Sequence, residues 1–330
     1  MAFTAAGVEG AAAGAADRAM LGPIRNALVV LLGLAVAASL ASVSRAADQE
    51  TFRSPEAALQ ALLRAVRTDN PADLKPLFGP DSDDLLSSGD AVADRAGLKH
   101  FANRLNERTH LEHLDDHTVV IHAGKDGWPL AIPIVKEGDG WKFDTASGTE
   151  EIINRRIGRN ELTTIDVLRA IVDAEREYSS QDRTGVGART YAARILSDPG
   201  KHDGLYWEDP GGKNPSPIGP LVAKASTEGY ATERKAESSP SPYHGYVFKM
   251  LTAQGPQAPG GEKSYLKDGR LTGGFATVAY PIEYGVSGVM TFVVNQQGIV
   301  FQKDLGQKTG ELAPAIMAYN PDDSWQPVKN

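Results

Sequence analysis

The chain has 330 residues, 41% of them hydrophobic, no cysteine, and a formal net charge of −8 at pH 7. That length and apolar content suit two ordinary domains with true cores rather than a disordered chain. The acidic balance argues against a nucleic-acid partner. The missing cysteines exclude disulfides, thiolate nucleophiles and cysteine-ligated metals.

The first expected element is an address rather than a fold. The apolar run ALVVLLGLAVAASLAS (27–42) follows Arg25 and leads to VSRA, with small Ser44 and Ala46 where a signal peptidase reads. It is shorter than the ~20 residues of a comfortable membrane span. Residues 1–46 therefore read as a signal peptide cleaved after Ala46, with Met20 as an alternative start and an uncleaved membrane anchor as the competing reading. No cysteine follows the run, so a lipid anchor is ruled out. Without this segment 31 basic and 40 acidic residues remain. The expected product is periplasmic or secreted, with no stable membrane anchor.

An α+β unit is expected over residues 47–149. Ser54, Pro55 and Glu56 form a strong helix start, followed by Ala58, Leu59, Leu62, Leu63 and Val66 on one side. After the polar stretch GPDSDDLLSSGD, Leu98, Phe101 and Leu105 recur at helical spacing, and the helix they predict runs to about His110. TVVIHA, WPLAIPIV and WKFD, separated by GKDG and EGDG, then predict an antiparallel meander whose middle run is bulged or edged by Pro129 and Pro133.

A second unit is expected over 150–330. Ile153, Ile157, Leu162, Ile165, Leu168 and Val172 predict a long helix, straight or bent at Gly158. A Pro/Gly-rich stretch, 197–245, leads to four strand candidates, GYVFKML, GFATVAY, GVMTFVV and IVFQK, the last two joined across NQQG as a hairpin.

Several stretches together carry a resemblance: LLSSGDAVADR, DGWPLAIPIVKEGDGWKFDTASG, EEIINRRIGRNEL, DGLYW, SPIGPLV, PYHGYVFKMLTAQGPQAPGG and GGFATVAYPIEYGVSGVMTFVVNQQGIVFQKDLG. They resemble the bacterial exported family known as domain of unknown function 2950, from about Phe52 to Trp325. The resemblance implies export in a Gram-negative-type bacterium and carries no catalytic residues. By element order alone, the first unit resembles the cone-shaped fold of nuclear transport factor two. The second resembles the soluble domain of pseudopilins and type IV pilins. It departs from pilins in that its long helix is amphipathic and follows a whole soluble unit, so shared architecture would not mean shared assembly.

Chemistry is sparse. His110, His113, His117 and His122, with Asp115 and Asp116, have metal-like spacing, but the pattern crosses from a helix into a strand, and solvated turn histidines are the favoured reading. Arg155, Arg156 and Arg159 could clamp a carboxylate or phosphate, or pair with Glu151 and Glu161 along the helix. Ser264, Ser287 and His244 have no triad spacing, and no phosphate-binding glycine motif is present. No metal, cofactor or catalytic residue is assigned.

Aromatic residues gather in the second unit beside proline and glycine, Tyr230 and Tyr246 among them. The candidate ligand-binding residues are Tyr206, Trp207, Glu208, Tyr243, His244, Tyr280, Glu283 and Tyr284. The expected function is a non-enzymatic binding or assembly factor of the cell envelope, its partner an envelope protein or glycan. The alternative is a periplasmic hydrolase of envelope glycans or peptides using carboxylates such as Glu208, Asp209 and Glu283.

Overall fold

The computed structural model describes residues 48–185, 187–231 and 241–329. The expected signal peptide and its cleavage site lie outside the described residues, as does part of the Pro/Gly-rich stretch. The class is α+β, with helices on antiparallel sheets.

The first helix, α1 (Pro55–Ala65), starts where its cap requires. The Ser54 hydroxyl accepts the Ala57 N–H at 3.2 Å, and Pro55 stands at the first position, where its missing N–H costs nothing. α2 (Ala91–Glu107) is capped by Asp90, whose Oδ1 accepts the Val92 and Ala93 N–H groups at 3.1 and 3.0 Å. Between them, the stretch read as a polar loop holds short helical turns at Pro80–Ser82 and Asp83–Leu86.

A five-stranded antiparallel sheet follows: β1 (Thr109–His113), β2 (Thr118–Ala123), β3 (Trp128–Pro129), β4 (Ile134–Glu137) and β5 (Gly140–Phe143). Its order is β1-β2-β4-β5, with β3 also paired to β2. The interruption between β3 and β4 falls between Pro129 and Pro133, because proline cannot donate to a ladder. β1 departs from expectation: α2 ends at Glu107, and His110 and His113 lie on a strand whose polar sequence, THLEH, hides it. Leu62, Leu105, Ile121, Ile134 and Phe143 form the core between these helices and this sheet.

α3 (Thr145–Ser179) is one continuous helix of 35 residues, begun by the Asp144 side chain and unbroken at Gly158. The boundary expected at residue 150 falls inside it. Its first turns touch the first sheet's connections so closely that a Cβ at Gly148 would lie 2.5 Å from the Ala131 carbonyl oxygen, which only glycine allows. Its later turns bury Ile165, Leu168 and Val172 against a second sheet. The described residues belong to one compact unit.

Past α4 (Gly219–Glu228), the second sheet comprises β6 (Tyr246–Leu251), β7 (Ala276–Pro281), β8 (Met290–Asn295), β9 (Phe301–Asp304) and β10 (Gln326–Pro327), ordered β10-β9-β8-β7-β6, all antiparallel. The four strand candidates correspond to β6–β9, and NQQG joins β8 to β9. All six residues of β7 are buried, because both faces of the sheet are covered. Ala279 packs with Leu168 of α3, while Val278 and Tyr280 pack with Tyr265, Leu271 and Tyr319 on the opposite face. Among the described residues no helix is long and apolar enough to cross a membrane.

Candidate functional site

The segment carrying Tyr206 and Trp207 is anchored rather than open. The Trp207 ring is 6% exposed, its Nε1–H donates to the Asn214 carbonyl at 2.8 Å, and Tyr178 and His202 pack against it. Tyr206 is half-buried and bonds through its backbone to Ile195 and Ser197. Glu208, next along, is exposed. Tyr280 is buried in the core, and Tyr284 donates its hydroxyl to Asp304 at 3.0 Å. Glu283 is exposed in the turn after β7, beside Gly89. The expected grouping thus dissolves: rings next to proline and glycine fill gaps between loop and sheet, a task their sequence context does not distinguish from lining a groove.

Tyr243 and His244 do meet, with Tyr230, at the start of β6. The Tyr230 and Tyr243 rings stand edge to face at 4.9 Å, and His244 packs on Tyr243 at 4.4 Å. His244 holds a left-handed backbone (φ 49°), uncommon outside glycine, and its Nε2 lies 3.0 Å from Glu228 Oε2. Burial, and then the Glu228 charge, push the Tyr243 phenol up to about 12.

Asp90 holds this corner in place. It is 1% exposed; while Oδ1 caps α2, Oδ2 accepts the Tyr230 hydroxyl and the Gly245 N–H, both at 2.9 Å. One carboxylate therefore joins the start of α2 to the residues after α4 and before β6. A capping aspartate is legible in sequence, but partners 140 and 155 residues away are not.

Beside this corner lies a cavity of about 700 Å³, within the ~300–1,000 Å³ of small-molecule sites. Leu74, Phe78, Leu98, Leu130 and Ile132 give it apolar walls, exposed Gly97 and His100 from α2 lie at its edge, and Tyr230, Glu228 and His244 line the side nearest the corner. It exists because α3 presents one face there, Ile152, Arg155, Arg156, Arg159 and Asn160, at the three- and four-residue spacing of a helical stripe. Of the eight candidate ligand-binding residues only His244 lines it.

The arginine cluster lies where its sequence pattern placed it, on α3, and its members differ. Arg155 pairs with Glu151, and its guanidinium lies 4.9 Å from the Trp128 ring centroid. Arg156 donates to the Asp84 and Leu85 carbonyls at 2.8 and 2.5 Å, and burial draws its pKa down. Glu161 is turned away, its Oε1 accepting the Val289 and Met290 N–H groups at 3.0 and 2.9 Å.

The histidines are organised by the first sheet. His110 and His122 are opposed in register and stack at 4.6 Å, His122 Nε2 lies 2.6 Å from Glu112 Oε2, and the His117 N–H donates to Asp115 Oδ1. A hydrogen bond to the Gly127 carbonyl raises the His122 pKa. Among the described residues no three His, Asp or Glu converge as metal ligands would.

Over residues 49–328 the chain matches the family model described as Protein of unknown function (DUF2950). No curated protein and no solved structure matches it.

Proposed function

The chain belongs to this family, and we propose that it is an exported binding factor of the bacterial cell envelope that holds a ligand with an apolar body in the cavity between α2, α3 and the first sheet. The observation that carries this reading is the cavity itself, a 700 Å³ space with leucine, isoleucine and phenylalanine walls. Protein interiors are close-packed, and voids larger than a water molecule are few. A space of this size with exposed residues at its edge is the form a binding site takes. The apolar run at 27–42 supports export.

The hydrolase reading has less support: neither Glu208 nor Glu283 lines the cavity, and the two occupy separate loops of the second half. The nearest acid–base pair to the cavity, His244 with Glu228, has no serine or threonine hydroxyl bonded to either member among the described residues.

Gly97 gives a clean test. It lines the cavity, and a Cβ there would meet nothing within 4 Å, so a large side chain enters space without displacing backbone. Gly97→Trp is expected to fold normally and to lose uptake of an apolar fluorescent probe, N-phenylnaphthylamine, that the unsubstituted protein takes up. Equal uptake by both proteins removes the reading.

A further inference from the structure

The charges around the cavity show what the apolar body should carry. Arg104 is paired with Asp126, and Arg155 with Glu151. Asp94 is held by Ser88, whose hydroxyl and N–H donate to it at 2.6 and 2.9 Å, and Glu228 is held by His244. Arg156 spends its donors on two backbone carbonyls, which share hydrogens but carry no neutralising charge. Arg159, one turn along α3 and exposed, has no hydrogen bond or ion pair from its side chain among the described residues. Burial acts most strongly against the charge of half-buried Arg156; the Asp94 and Asp84 carboxylates favour that charge and Arg159 opposes it. Among the described residues neither guanidinium has a carboxylate bonded to it, and of the two only Arg156 has a carboxylate, Asp94, acting on it from within the cavity lining.

Size selects among anions. At about 30 Å³ for a water-sized group, 700 Å³ accommodates roughly twenty-three such groups. That suits one long hydrocarbon chain with a small head. A planar guanidinium presents two parallel N–H groups that match the two oxygens of a carboxylate. With a single unengaged guanidinium, a monoanionic head matches better than a dianion.

We propose that the cavity binds a single-chain carboxylate amphiphile of the fatty-acid class, its hydrocarbon along the leucine and isoleucine walls and its carboxylate on Arg159 beside Arg156. This rests on the binding-factor reading above and adds the chemical class of ligand. Arg159 then acts as the head-group contact, Arg156 adds field while remaining tied to the backbone, and Glu228, held by His244, keeps the opposite side unfavourable to a second anion.

The test is calorimetric titration of the purified protein with dodecanoate, dodecanol, dodecyltrimethylammonium and dodecyl phosphate, each below its micellar concentration. A charge-assisted hydrogen bond gives about a tenfold preference or more, so dodecanoate should bind about tenfold more tightly than dodecanol. Arg159→Gln should reduce that ratio to about one, chiefly by weakening dodecanoate, and Arg159→Lys should restore part of it. If the alcohol or the ammonium binds as tightly as dodecanoate, or Arg159→Gln preserves the ratio, the head-group assignment is overturned and the apolar site stands. Tighter binding of the phosphate overturns the carboxylate assignment in the same way. Failure of all four, together with probe uptake that Gly97→Trp does not change, overturns the cavity reading as well.

Discussion

The two halves of α3 meet the rest of the molecule in opposite ways. From Ile165 to Tyr178 the helix buries Ile165, Val167, Leu168, Ile171, Val172, Ala174 and Tyr178, and the space around it is filled by β6–β8 on one side and by the Trp207 loop on the other. From Gly148 to Asn160 it buries only Gly148 and Asn160, and its inward stripe carries three arginines beside an open apolar space. A helix whose stripe is aliphatic makes a core. One whose stripe is cationic, set over aliphatic walls, leaves a site, because guanidinium groups resist losing their water unless paired. The same helix joins both, so the filled half can hold the unfilled half in position.

The sharpest challenge to this contrast compares two phenylalanines. Phe292 of β8 is fully buried against α3, whereas Phe101 of α2 is half-buried and lines the cavity. Phe292→Ala should cost about 3–5 kcal/mol, and Phe101→Ala, which removes a ring already lacking neighbours on one side, under about 2 kcal/mol. Denaturant midpoints at unchanged slope would measure both. Equal losses would mean the space around Phe101 is as closely packed as the core.

Asp90 tests how the corner beside the cavity is held. Asp90→Ala removes the cap of α2 and strands the Tyr230 hydroxyl and Gly245 N–H, each bonded at 2.9 Å. The expected loss is about 2–4 kcal/mol from the cap and the buried groups left unpaired. Asp90→Asn, which keeps an acceptor for the cap, should lose less. Thermal unfolding of the two variants that coincided would show that the cap contributes nothing and that the Tyr230 and Gly245 bonds carry the whole loss.

A pH-dependent effect belongs to the filled half. Glu175 is fully buried on α3, with Oε2 accepting the Ala192 N–H at 2.9 Å and Oε1 without a partner among the described residues. Burial raises its pKa from 4.5 to about 8. The folded state therefore binds more protons than the unfolded chain between those values. Stability is highest below about 4.5, declines as pH rises toward 8, and changes no further from this group above it. Melting temperature across pH 5–8 should fall for the unsubstituted protein and fall less for Glu175→Gln. Parallel curves would place the pH dependence elsewhere.

Some of this was legible beforehand because the signals were local. Ser54, Pro55 and Glu56 begin α1 at the expected residue, and NQQG joins two strands of the second sheet. β1 escaped notice because THLEH has no apolar alternation; it is held by pairing with β2. The helix α3 also starts earlier than the boundary expected at residue 150, at Thr145, where the Asp144 side chain begins it and Gly148 permits the close approach. His244 alone among the expected ligand-binding residues lines the cavity, while Trp207 and Tyr280 went into packing. An aromatic ring beside proline has the same sequence signature in either setting.

What the sequence determined by itself was the α+β class, the capped first helix, the strands β6–β9 and the arginine stripe on α3, all of which depend on neighbours within a turn or a hairpin. The tertiary structure alone decided the cavity, the Asp90 corner and the difference between paired Arg155 and unengaged Arg159. A cavity is a place that no side chain of the described residues fills, and the contacts of Asp90 join residues far apart along the chain. Local periodicity has no term for either.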